Sequence, residues 1–296
     1  MVKGERNLGP TMIGMLGLLK HRGRDATGAA FYRATPAANA RARVSLTNAH
    51  SDLDLLCSLI EGHGGEIIEY EVEHTSSPYL MFRGLVSIKE EHLPKLIDLI
   101  NSHPMLCVHS FGRSIEVVKD VGTADSLACY DEMNEMPASH SIGHTRLATE
   151  SIDNINFGHP LAATVVPELS IVHNGQLTNY YRLRRRMEDL GIKFKTFNDS
   201  ELIAHYLAYQ IRVKGMGFQE ALEHSVGVFD GVYSYLCATP DGIGAVRDRL
   251  GLKPILFAEK GDVLLLGSEQ CAIESVDPNV FAEEMSPGEV RVWLKH

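Results

Sequence analysis

An α+β fold built in layers is predicted for this 296-residue chain by three features. Strand-like runs dominate the last third, helical runs lie between strands, and residues 38–112 carry the order β-α-β-β-α-β by themselves. At this length the chain can bury a substantial core, as one large domain or as one domain with an insertion.

The elements follow from spacing and punctuation. Residues 11–20 place Met12, Met15, Leu16 and Leu19 at helical intervals, ending near His21-Arg22-Gly23. Residues 29–32 read as a buried strand. The next stretch predicts strands at 43–47, 66–72, 79–86 and 105–109. Its helices fall at 52–61, with Leu53, Leu56, Cys57 and Ile60 on one face, and at 92–101, with Leu93, Ile97 and Ile100 inward. That order is a ferredoxin-like split βαβ unit inserted into a domain made of residues 1–37 and 113–296. Residues 114–120 alternate as a strand and are expected to pair with residues 28–32. Farther on, 169–173 reads as a strand, 180–191 as a helix closed by glycine, and 200–213 as a second helix. Strands at 231–239, 242–247, 255–259 and 263–268 are joined by turns such as Pro240-Asp241-Gly242 and Lys260-Gly261-Asp262.

Composition excludes several functions. The net charge of 28 − 38 = −10 repels polyanions, so nucleic acid is not expected as a partner. The basic cluster Arg182, Arg184, Arg185 and Arg186 is expected to be a solvated helix face. No apolar run is long enough to span a bilayer, and the first residues do not read as a signal sequence; a cytoplasmic protein is expected. Cys57, Cys107, Cys129, Cys237 and Cys271 are scattered, which predicts buried thiols in a reducing compartment rather than disulfides. Neither a metal site nor a cofactor is expected, because the fourteen histidines form no H-E-x-x-H pair and the cysteines form no cluster.

Three short stretches carry the chemistry. His173-Asn174-Gly175, placed directly after an apolar strand, offers an amide side chain and a glycine N–H that can stabilise an oxyanion. Arg146, after Gly143-His144-Thr145, has the fork that suits a carboxylate. Asp199, in Asn198-Asp199-Ser200-Glu201, reads either as a helix N-cap or as part of a polar ligand site.

These stretches resemble a family. Gly143-His144-Thr145-Arg146-Leu147-Ala148-Thr149 is similar to the G-H-T-R-x-A-T motif of the class II glutamine amidotransferases. His173-Asn174-Gly175-Gln176-Leu177-Thr178-Asn179 resembles their H-N-G-x-(L/I)-x-N, and Asn198-Asp199-Ser200-Glu201 their (S/N)-D-(T/S)-E. Arg22-Gly23-Arg24-Asp25, Arg247-Asp248 through Pro254, and Gly267-Ser268-Glu269 match further motifs in the family's order. The resemblance implies the four-layer αββα sandwich of N-terminal-nucleophile hydrolases. It also implies that Arg146 binds the α-carboxylate of glutamine and Asp199 its α-ammonium, that Asn174 and Gly175 form the oxyanion hole, and that Thr149 orients the substrate. Arg22 and Asp25 are expected to order the loop beside the nucleophile.

A stand-alone subunit is implied, similar to the amidotransferase domain of glutamate synthase or to a subunit of the methylamine-glutamate N-methyltransferase (N-methylglutamate synthase) complex. Its expected partners are glutamine and a synthase or methyltransferase-type subunit that accepts ammonia. Family members begin Met-Cys-Gly-Ile-x-Gly, and the exposed cysteine supplies both thiol and amine. This chain opens Met1-Val2-Lys3-Gly4. Thr11 and the five cysteines do not substitute for that residue. Two expectations follow. Either the complete form is a glutaminase whose nucleophilic strand lies upstream, or the chain is a non-catalytic glutamine-binding or scaffolding subunit. As given, the chain is expected to be inactive in hydrolysis.

Overall fold

The computed structural model describes residues 1–147, 154–163, 165, 166 and 168–295. The chain begins with β1 (Arg6–Asn7), α1 (Gly9–Leu18) and β2 (Ala26–Tyr32). It continues through β3 (Ala40–Leu46), α2 (Ser51–Gly62), β4 (Glu66–His74), β5 (Leu80–Ser87), α3 (Leu93–Ser102) and β6 (Leu106–Gly112). Then come β7 (Ile115–Val121), α4 (Ala124–Leu127), β8 (Pro137–Ala138), β9 (His140–Arg146), β10 (Leu161–Ala162) and β11 (Ser170–Leu177). Helices α5 (Tyr180–Asp189), α6 (Asp199–Arg212) and α7 (Phe218–Val228) precede β12 (Gly231–Thr239), β13 (Gly242–Arg247), β14 (Leu256–Lys260) and β15 (Val263–Gly267). The last elements are α8 (Gln270–Glu274), β16 (Glu283–Glu284) and β17 (Val290–Leu294).

Alternation along the strands sorts these elements into layers. In the antiparallel sheet β10-β11-β12-β13-β17, Tyr233, Tyr235 and Cys237 face helices α5 to α7 and pack on residues such as Leu202 and Leu207. The opposite face carries Val172, Ala238 and Ile243, which pack on Ala30, Val117 and Ile142 of the sheet β7-β2-β9. The sheet β15-β14-β16 packs on the same five-stranded sheet through Phe257, Met285 and Ala245. On its far side the β7-β2-β9 sheet is covered by α1 and α4, with Met12, Leu16 and Leu127 against Phe31 and Val118. Helix α8 places Ile273 on Leu265 and Ala258. The layers therefore run helix, sheet, sheet, helix, the expected αββα sandwich.

Besides a two-stranded β1-β8 pair, the last sheet has the order β4-β5-β3-β6 with antiparallel neighbours, which is the strand order of a split βαβ unit. Leu56 and Ile60 of α2 and Leu96 and Ile100 of α3 pack on its Val44 and Phe82. Buried Arg43 of β3 ties it to the sandwich by donating to Glu116 of β7 at 2.9 Å. The expected pairing of β2 with β7 is present, Ala30 opposite Val117.

Three expectations are corrected. The strand expected at 169–173 continues through Asn174 and Gly175 to Leu177, because its ladder with β12 runs on to the Leu177–Gly231 pair. Arg182, Arg185 and Arg186 are exposed, but Arg184 is not a solvated side chain. Its guanidinium stacks on Phe194 and Phe197 at 4.5 and 4.6 Å and donates to Thr196 O. The cysteines are free, with Cys107 and Cys237 buried, but Cys129 is exposed. Among the described residues, no helix is long and apolar enough to cross a membrane.

Candidate functional site

Strand parity brings the site together. On β9, Ile142 faces the space between the two sheets, so His144 and Arg146, two and four residues on, share that face. On β11, Val172 faces the same space and Asn174 follows it at the same parity. Arg146, Asn174, Gly175 and Asp199 all line one cavity of about 1540 Å³, together with His144. Thr149 lies outside the described residues.

Two glycines are required by close approach. Gly175 has φ +133°, and a Cβ there would overlap the Val232 carbonyl oxygen. At Gly23 a Cβ would overlap the Arg146 carbonyl group, so only glycine lets the loop after α1 lie against the end of β9. Asp25 N donates to Arg146 O at 3.0 Å, and Arg22 pairs with Glu269 at 2.9 Å, joining this loop to the Gly267-Ser268-Glu269 turn.

Asp199 occupies the first turn of α6, but the cap is Asn198, whose side chain accepts from Ser200 N at 2.9 Å. The Asp199 carboxylate is thereby left to accept from Leu177 N at 3.0 Å and to lie 3.4 Å from His173 Nδ1. Burial pushes its pKa up, but the His173 contact and the Leu177 and Ser200 N–H groups outweigh that and hold it below the usual carboxylate value. The group is an anion at neutral pH, with a side chain 17% exposed.

Behind Asp199 runs a chain of imidazoles that no motif marks as a unit. His144 Nδ1 lies 3.2 Å from His159 Nδ1, His159 Nε2 lies 2.8 Å from Ser200 Oγ, and Ser200 Oγ lies 2.9 Å from His173 Nδ1. Burial, with His173 and Arg146 nearby, lowers His144 to about 3, and burial beside His144 puts His159 well below its ordinary value. His144 has a sequence signal, its place inside Gly-His-Thr-Arg. His159 carries none, since its partners come from β9 and α6. Among the described residues, no group of three His, Cys, Asp or Glu is arranged to hold a metal ion.

The cavity continues as a slot between two strand edges. Within their sheets β9 pairs with β2 and β15 with β14, so each leaves one edge unpaired there, and residues of both strands line the cavity. Residues 1–3 sit between those edges at one end: Val2 N donates to Ser139 O at 2.7 Å, Met1 N to Leu264 O at 2.8 Å, and Leu264 N to Met1 O at 2.9 Å. Val2 bridges Val263 in antiparallel sense. From there the cavity runs between Leu265, Leu266 and Gly267 on one side and Ser141 to Arg146 on the other.

Residues 144–275 match a family model described as a glutamine amidotransferase domain. Over 293 residues the chain is 34% identical to a putative glutamine amidotransferase of Methanothermobacter thermautotrophicus, covering 97% of this chain and 94% of that protein. This chain belongs to the glutamine amidotransferase family. It is also 30% identical over 301 residues to the glutamine amidotransferase-like protein GlxB of Rhizobium meliloti, covering 98% of this chain and 93% of that one. Among solved structures, the fold matches the glutamine phosphoribosylpyrophosphate amidotransferase of B. subtilis with a TM-score of 0.63 at 18% identity, over 98% of this chain and 46% of that chain. A structure described as the allosteric regulatory enzyme of purine biosynthesis matches with the same score, over 99% of this chain and 47% of that one. The chain thus spans about half the length of those two solved chains, and the likeness to them is one of fold. Fold and motifs together make it a class II amidotransferase.

Proposed function

We propose that this amidotransferase binds glutamine in the cavity and, with a cysteine-bearing strand in the slot, hydrolyses it to glutamate and ammonia for a partner synthase. The observation that carries the reading is the convergence of Arg146, Asn174, Gly175 and Asp199 on one cavity that opens into the slot. Arg146 takes the α-carboxylate and Asp199 the α-ammonium, while the Asn174 amide and Gly175 N–H receive the oxyanion. Thr149 orients the substrate.

In the first half-reaction the cysteine sulfur adds to the glutamine side-chain carbonyl, and the C–N bond breaks as the nitrogen takes up a proton and leaves as ammonia. Water then adds to the thioester, releasing glutamate and restoring the thiol. The slot supports this reading because the unpaired edges of β9 and β15 can offer backbone groups to an extended segment, as the Val2 bridge to Val263 already does at one end.

A second reading, a glutamine-binding subunit without hydrolysis, is favoured by one observation: none of the five cysteines is among the described residues that line the cavity. One experiment separates the two. Ammonia release from glutamine is measured for this chain and for a form extended ahead of Met1 by a Met-Cys-Gly-Ile-x-Gly strand. The first reading predicts release by the extended form, abolished by Cys→Ser in the added strand. Turnover by the unextended chain, or an inert extended form, would count against it.

A further inference from the structure

Two segments that flank the pocket are anchored to the βαββαβ unit. The first leads into Asp199. Lys195 Nζ donates to Asn101 O at 3.0 Å and His103 O at 2.6 Å, at the C-terminal end of α3, where carbonyls lack intrahelical partners and a cation is favoured. Lys195 N and Thr196 N donate to the two oxygens of Glu201 at 2.6 and 2.7 Å. Asn198 N donates to Thr196 Oγ1 at 3.1 Å, and Asn198 in turn caps the helix that begins with Asp199. A continuous run of hydrogen bonds therefore links α3 to the Asp199 turn.

The second segment is the turn Ile155–Phe157, which follows Arg146 in the chain. Ser45 Oγ of β3 donates to Asn156 Oδ1 at 2.6 Å, and Asn154 Nδ2 donates to Tyr79 OH at 2.9 Å. Beyond this turn comes His159, which reaches Ser200 at the base of the pocket.

We propose that the βαββαβ unit positions the glutamine pocket from behind, with Lys195 and Asn156 as positioning residues that hold the segments flanking Asp199 and Arg146. This rests on the reading of Asp199 as the ammonium ligand. Lys195 is the link through which α3 holds the turn that presents Asp199.

Amide hydrogen exchange and glutamine calorimetry on the whole chain test this together, using Lys195→Met, the conservative Lys195→Arg, and Lys193→Met as an exposed control. The expected result for Lys195→Met is about tenfold faster exchange at Thr196, Ser200 and Leu177 and about tenfold weaker glutamine binding, the scale of one lost charged hydrogen-bonded anchor. Tyr235 in the core strand β12 should keep its protection, Lys195→Arg should recover most of the loss, and Lys193→Met should change neither. Unchanged exchange at those three amides would overturn the proposal. A wild-type chain that does not bind glutamine would defeat the reading of the pocket instead, while the exchange result still decides the positioning role.

Discussion

Asp199 shows how neighbouring residues divide their work. Asn198 caps α6, so the Asp199 carboxylate is left for the cavity. In the sequence Asp199 reads either as the cap or as part of a polar site, because Asn and Asp both cap; the direction of the two side chains shows that Asn198 is the cap. Gly175 is the other decisive residue. With φ +133° and Val232 O in the place of any Cβ, Gly175→Ala should destabilise the fold by more than about 1 kcal/mol. Chemical denaturation measures this, and an unchanged midpoint would mean that β11 can relax around the methyl group.

At the scale of elements, the hairpin strands β12 and β13 and the split βαβ order are legible in the sequence, since alternation and turn residues are local signals. Helix α7 and strand β17 are not. Ala221, Leu222 and Ser225 give α7 a narrow buried face among polar residues, and β17 is half-buried along most of its length. The imidazole chain is hidden for a different reason: it joins β9, β11 and α6 across layers, which no spacing along the chain encodes. The buried imidazoles, His140 of β9 included, make a pH prediction. Burial lowers His140 to about 4 and His144 to about 3, and holds His159 well below its ordinary value. The unfolded chain takes up these protons first, near pH ~6.5, so stability is full above that value and falls as the pH drops toward about 4. The slope should reach about 1.4 kcal/mol per pH unit for each histidine. Denaturation midpoints between about pH 7.5 and about pH 4.5 measure it; a flat profile would contradict neutral buried imidazoles.

For the whole molecule, two sheets with facing inner surfaces gather residues far apart in sequence into one cavity, and the βαββαβ unit holds the surrounding loops. The cavity is legible as a set of motifs, whereas its continuation along β9 and β15 depends on which strands end their sheets with an unpaired edge. The most direct measurement is a calorimetric titration of this chain with L-glutamine, repeated for Arg146→Ala and Asp199→Asn. Glutamine should bind to the wild-type chain, and each substitution should weaken it by at least about tenfold, since each removes a charged partner. Equal binding by all three, or none by the wild-type chain, would contradict a glutamine pocket built on Arg146 and Asp199.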